Sequence, residues 1–239
     1  MEHWDAAQYL KFKQQRTRPA IDLAARIPLE HPEKIADIGC GPGNSTAVLK
    51  QRFPGAKIVG ADSSADMIAA AEQAHPEMQF IQCDAQTELE KLGQDYDVVF
   101  SNACLQWIPD HPVMIPKMLQ MLRPGGVLAV QIPVNYEEPI HKIISRLIQS
   151  PQWKGYFHRP QAMYHLTPAT YYDLLSESAA EFHMWQTTYF HHMPSHAAIL
   201  EWYRGTGLRP YLEVLPPEKQ DAFSEAVLRE VQRAYPLQK

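Results

Sequence analysis

The stretch Lys34–Thr46, KIADIGCGPGNST, constrains this chain more than any other. An apolar run passes through Asp37, three glycines follow at alternate positions, Gly39, Gly41 and Gly43, and Asn44, Ser45 and Thr46 come next. Glycines let the backbone turn sharply and approach a ligand, and a Ser/Thr/Asn cluster suits the first turn of a helix. A strand, a glycine loop and a helix in this order form the opening unit of an open α/β sheet, which binds its ligand outside the carboxyl ends of the strands.

The same texture recurs downstream. Short apolar runs occupy 57–62 (KIVGAD), 79–84 (QFIQCD), 96–102 (YDVVFSN) and 126–133 (GVLAVQIP), with helical periodicity over 45–53, 64–75 and 111–122 between them. This alternation predicts an α/β, Rossmann-like fold, a mostly parallel sheet with helices on both faces. LRPGG at 122–126 reads as a turn into the fifth strand. After Pro133 proline, histidine and aromatic residues become dense. Helices are expected over 139–150, 168–178, 194–207 and 217–234, and the alternating EFHMWQTTYF over 181–190 is expected as a sixth strand. The expected organisation is a single domain, 1–239, with an N-terminal helical cover (1–30), a cofactor-binding core (31–133) and helical insertions (134–180 and 194–233) forming an acceptor-side lid.

Composition narrows the partners. With 239 residues and 45% hydrophobic content the chain can bury one sizeable core. Its 22 Lys and Arg against 27 Asp and Glu, with no basic block, argue against a nucleic-acid substrate. No apolar run approaches the roughly 20 residues of a membrane span, so no membrane partner is expected. Cys40, Cys83 and Cys104 have no CxxC spacing and read as small buried thiols of a cytoplasmic protein. His191 and His192 are adjacent and His196 follows, a spacing that gives little support for a metal, and none is expected.

The glycine spacing is GxGxG, with Asn44 where a dinucleotide-binding loop would carry its third glycine. With Asp37 ahead of the loop, Asp62 nineteen residues after Gly43, Asp84 ending the third run and Asn102 ending the fourth, the pattern resembles the class I S-adenosylmethionine-dependent methyltransferases. The resemblance implies S-adenosyl-L-methionine as cofactor and S-adenosyl-L-homocysteine as product. It places Asp37, Gly39, Gly41, Gly43 and Asn44 beside the methionine part and Asp62 on the ribose hydroxyls. Ser63 and Met67 lie near by, Asp84 and the Ala85 amide serve the adenine, and Asn102 the amino end. A carboxylate suits paired hydroxyls because it accepts two hydrogen bonds at once.

Segments outside the loop, among them WDAAQYLKFKQQRTRPAIDLAARIPL, SNACLQWIPDH, TTYFHHMPSHAAI and TGLRP, resemble a branch of that family that esterifies one carboxylate of a tricarboxylic acid. The resemblance implies a small carboxylic acid as acceptor, trans-aconitate foremost, and a monomer or homodimer. An ionised carboxylate needs no general base, so alignment of the reactants would carry catalysis, and no residue is expected to act as a catalytic acid or base. Polycarboxylate recognition calls for arginine, whose two-pronged donor geometry matches a carboxylate. Candidates are Arg16, Arg18 and Arg209, with Arg204 less favoured; Tyr9, Gln106, Trp107, Asn135 and Tyr136 are the other expected acceptor residues. Members of the branch continue past a YPLQ-like segment into a last antiparallel strand, which this sequence is expected to lack. Another small acid or a hydroxyl acceptor, a cofactor-binding module without catalysis, and a nicotinamide oxidoreductase remain as alternatives.

Overall fold

A computed structural model describes residues 11–158 and 163–237, without the side chains of Lys13 and Gln14. These residues belong to two compact units, whose main spans are Lys13–Pro133 with Met163–Thr188, and Val134–Ala162 with Tyr189–Lys239.

The first unit holds the sheet. Its strands are β1 (Lys34–Ile38), β2 (Lys57–Asp62), β3 (Gln79–Gln82), β4 (Tyr96–Asn102) and β5 (Leu122–Gln131). They lie in the order β3-β2-β1-β4-β5, and every pairing is parallel. β1 therefore has β2 on one side and β4 on the other, the topological switch where a crevice opens beyond the strand ends. Strands buried on both faces read as continuous apolar runs, which is why β1 and β4 were legible in the sequence.

Alternation divides the core between the two faces. Ile35, Val98 and Phe100 pack with Leu49 of α2 (Asn44–Arg52), with Phe53 just past its end, and with Ala20, Leu23 and Ala24 of α1 (Lys13–Ala24). Ala36, Ile38 and Val99 face the other way, toward Met114 and Met118 of α4 (His111–Gln120). α3 (Ala65–Ala74) covers the β2/β3 side through Ile68 and Ala71, which pack against Phe80. At the amino ends of the strands, Asp97 Oδ2 accepts the amides of Glu33 and Lys34, both at 2.8 Å, and Asp97 also pairs with Arg123. This carboxylate ties down the entry to β1.

Two expectations are corrected. LRPGG is not a turn ahead of the strand: β5 begins at Leu122, and between the pairs Tyr96↔Leu122 and Val98↔Val127 it carries an irregularity. The Tyr96 amide donates to Met121 O at 3.0 Å, so pairing starts early, and Gly125 at φ 78 absorbs the extra residues. Residues 181–190 form no strand. Most of them are exposed and pair with no neighbouring strand; Trp185 is instead covered by the Arg26 guanidinium at 4.3 Å. Alternation alone cannot make a strand where no sheet edge receives it.

The second unit is helical. α5 (Pro139–Ile148), α7 (His196–Arg204), the short α8 (Arg209–Val214) and α9 (Pro217–Ala234) surround Ile140, Ile143, Ile144, Trp153, Leu200, Phe223 and Val227. α6 (Pro168–Ser178) belongs to the first unit. Spacings of three and four put the α5 isoleucines on one stripe facing α9, and Arg146 pairs with Glu230 at 2.7 Å across the same two helices. No helix among the described residues is long and apolar enough to cross a membrane.

Candidate cofactor and acceptor site

The loop after β1 holds its shape through positive φ at Gly39 (74°), Gly41 (54°) and Gly43 (85°), a region that costs a side-chain-bearing residue energy. The three glycines answer to different neighbours. A Cβ on Gly39 would lie 2.3 Å from Cys104, and one on Gly43 would lie 2.8 Å from the His75 ring. A Cβ on Gly41 would meet nothing within 4 Å. Gly39 and Gly43 thus let the loop pack onto its own unit, while Gly41 leaves a clear side for a ligand. The Gly39 and Cys40 amides donate to Ala61 O at 2.7 and 3.0 Å, binding the loop to β2.

Asp62 ends β2 and locks the loop from beside. Its Oδ2 accepts the Gly41 amide at 3.0 Å and its Oδ1 the Ser64 amide at 2.9 Å. Each oxygen retains a further lone pair, so the carboxylate still suits a pair of hydroxyls. Burial raises its pKa, opposed by these two amides. Ser64, rather than Asp62, caps α3, its hydroxyl accepting the Met67 amide at 3.4 Å.

Asp37 is wholly buried beneath the loop. Its Oδ2 accepts the hydroxyls of Ser45 and Thr46, each at 2.7 Å, and its Oδ1 has no hydrogen-bond partner in the protein. Burial pushes its pKa up to about 6; the two hydroxyls pull it down and the Asp62 charge raises it further. An orphaned buried oxygen of this kind calls for a donor. Asn44 Nδ2 and, at the end of the neighbouring strand β4, Asn102 Oδ1 are buried and similarly orphaned.

Asn102 ends β4, where the Ser101 hydroxyl donates to Ile38 O at 2.9 Å and draws the ends of β1 and β4 together. Its register partner is Gln131 of β5, whose buried Oε1 has no partner either. Asp84 lies two residues past β3 and is exposed; its Oδ1 accepts the Gln86 amide at 2.9 Å, while Ala85 is buried. Met67 is buried on the first turn of α3, and Ser63 is exposed.

The structure thus brings Asp37, the glycine loop, Asn44, Asp62 and Asn102 to the carboxyl ends of neighbouring strands. Orphaned polar atoms and the clear side of Gly41 fit a ligand carrying an ammonium, a carboxylate and paired hydroxyls, so these residues suit S-adenosylmethionine. The sequence reading missed Gln131, whose only signal was a polar residue closing an apolar strand. It also read Ser45 and Thr46 as helix starters, not as donors to Asp37.

The acceptor candidates are spread over both units. Arg16, Arg18, Gln106 and Trp107 lie in the first; Asn135, Tyr136 and Arg209 lie in the second, and Tyr9 falls outside the described residues. Arg18 is exposed on α1 and donates to Asp22 one turn on, at 3.1 Å. Arg204 approaches Glu201 at 3.6 Å. Arg209 is 8% exposed at the start of α8 and lies 3.6 Å from Glu213. Gln106 is buried, with its Oε1 unpartnered. A cavity of about 680 Å³ in the second unit is lined by Tyr136, His141, Lys142 and Arg146 and holds none of the cofactor set. Its cations are engaged, Lys142 with Glu137 at 2.8 Å and Arg146 with Glu230 at 2.7 Å. Among the described residues no group of three or more His, Cys, Asp or Glu is gathered as metal ligands.

Residues 35–126 match the family model for a methyltransferase domain. The fold is shared with the YcgJ protein from Bacillus, with a TM-score of 0.58 over 86% of this chain and 88% of that one at 14% identity. Sheet order, glycine loop and strand-end residues together define an S-adenosylmethionine-dependent methyltransferase of class I. The chain is 44% identical to a trans-aconitate 2-methyltransferase of Escherichia coli over 238 residues, covering all of this chain and 92% of that protein. It is 46% identical to one from Azoarcus sp. (strain BH72) over 237 residues, covering 92% of its length. It belongs to the trans-aconitate 2-methyltransferase family.

Proposed function

We propose that this enzyme methylates one carboxylate of trans-aconitate, giving the monomethyl ester and S-adenosylhomocysteine, and that it works in the cytoplasm as a monomer or homodimer. The observation that carries the reading is the end-to-end similarity to relatives named for this acceptor, at 44% and 46% identity, beside a site that offers positioning groups. Three free cysteines accord with a reducing compartment.

When bound, S-adenosylmethionine supplies an electrophilic sulfonium methyl. The chain's own residues bind and orient. We assign Asp62 to the ribose hydroxyls, with the Gly41 and Ser64 amides holding its carboxylate in place. Asp37 Oδ1 and Asn102 Oδ1, buried and unpartnered, serve the ammonium end, which satisfies both. Asp84 and the Ala85 amide serve the adenine, and Ser63 and Met67 border it. An acceptor carboxylate is ionised at neutral pH and brings its own lone pair, so no residue has to take up a proton. Rate enhancement then rests on holding nucleophile and methyl in line in a water-poor site. Arg16, Arg18 and Arg209 are the proposed partners of the remaining carboxylates, and Tyr9, Gln106, Trp107, Asn135 and Tyr136 are the other residues proposed for acceptor recognition.

The test is a panel of tricarboxylic, dicarboxylic and monocarboxylic acids and phenols with radiolabelled cofactor. Turnover is expected on trans-aconitate well above the others, and turnover confined to monocarboxylates or phenols would overturn the reading. Arg209→Ala is expected to raise the KM for trans-aconitate about tenfold, the worth of a charge-assisted hydrogen bond, with cofactor affinity little changed.

A further inference from the structure

The loop after β4, residues 103–107, carries two of the acceptor candidates yet contains no glycine and has only a single turn of 3-10 helix, Leu105–Trp107. Its carbonyls are held by near neighbours and by one group remote in sequence. Ala103, itself at φ 52, has its carbonyl bonded by Gln106 Nε2 at 2.7 Å. Leu105 O receives His111 Nε2 at 2.8 Å, and Gln106 O receives the Tyr164 amide at 2.8 Å.

His111 is 2% exposed, and its protons can be assigned from its partners. A carbonyl only accepts, so Nε2 bears the hydrogen toward Leu105 O. In the neutral ring Nδ1 is then an acceptor, and it lies 2.5 Å from the Tyr171 hydroxyl, which donates to it. The two rings stack with centroids 5.9 Å apart. A directed chain therefore runs from the Tyr171 hydroxyl through His111 to the carbonyl beside Gln106. Every link lies within the first unit.

We infer that Tyr171 and His111 are positioning residues for the acceptor-facing loop: α6 and the segment before it set where Gln106 and Trp107 stand. The inference rests on the acceptor role proposed above for that loop. A buried donor chain ending on an irregular loop is worth more here than a surface bond, because it fixes a direction as well as a distance. Neither residue touches the reacting atoms.

The experiment is Tyr171→Phe, which keeps the ring and removes one hydroxyl from a half-buried site. The KM for trans-aconitate is expected to rise about five- to tenfold, the worth of one buried hydrogen bond, while the Kd of S-adenosylhomocysteine by calorimetry moves less than twofold. The same loss measured in a Gln106→Ala background should shrink to less than twofold, since the hydroxyl acts through the loop that bears Gln106. His111→Gln, which can still donate to Leu105 O, should retain more acceptor affinity than His111→Ala. Native-state hydrogen exchange at the Trp107 and Ile108 amides, bonded to Cys104 O and Leu105 O at 2.9 Å each, should quicken in Tyr171→Phe. Unchanged KM with unchanged exchange would overturn the inference, as would a lower Tm with KM and kcat intact. Should the parent enzyme fail to methylate trans-aconitate, the acceptor reading fails on its own, and exchange at 107 and 108 still decides whether Tyr171 holds the loop.

Discussion

Two loops meet at the carboxyl ends of β1 and β4, and they are built on opposite principles. The loop after β1 takes its path from its own composition: three glycines at positive φ, with Asp62 clasping the Gly41 amide. The loop after β4 has Ala103 at φ 52 and depends on His111 and Tyr164 to bind its carbonyls. A cofactor common to a whole family suits a shape encoded locally. On the assignments proposed above, the acceptor loop instead leans on Tyr164 and, through His111 of α4, on Tyr171, so a change in the 134–180 insertion would change that loop without disturbing the cofactor loop.

The largest expected effect comes from breaking the first loop where it packs. Gly39→Ala would combine positive φ with a Cβ 2.3 Å from Cys104, and should cost about 3 kcal/mol in urea unfolding. Adding Cys104→Gly should recover part of it, whereas no recovery would assign the whole loss to φ.

Asp37→Asn comes next and has a sign set by pH. The folded chain holds the Asp37 proton up to about pH 6 against 3.8 for the ordinary group, so stability falls as pH rises from about 4 to 6 and levels off above. Asparagine carries no such proton and can still accept from Ser45 and Thr46. The variant should match the parent near pH 4 and exceed it above pH 7 by at most about 3 kcal/mol, read as a widening Tm gap. A gap independent of pH would remove the buried charge as its cause.

Gly41→Ala separates ligand space from packing. With nothing within 4 Å of the added methyl, the stability cost should be only about 1 kcal/mol from φ 54, while S-adenosylhomocysteine affinity falls at least about tenfold. Equal losses in both would deny Gly41 a special place beside the cofactor. The smallest effect belongs to the other loop. Ala103→Gly relieves φ 52 but loosens the unfolded chain, and should shift stability by no more than about 1 kcal/mol in either direction.

Much of the first unit could be read from the residues in order. Buried parallel strands appear as apolar runs, and GxGxG with Asp62 and Asn102 marks the strand ends. What escaped was relational. The alternation of 181–190 looked like a strand, but those residues stay exposed and unpaired, with Trp185 under Arg26. LRPGG looked like a turn, but the Tyr96 amide recruits Met121 O and pairing begins at Leu122. α8 was not foreseen, being only six residues long with Pro210 near its start.

The sequence by itself determined the chain order of the five strands and the character of the loop after β1, because apolar periodicity and glycine's freedom at positive φ act within a few residues. Only the tertiary structure decided that Asp37 is wholly buried with one oxygen unpartnered, that Gly39 lies against Cys104, and that Tyr171 reaches Leu105 through His111. Burial, close approach and hydrogen-bond direction depend on groups up to about sixty residues apart meeting in space, and no local pattern records such meetings.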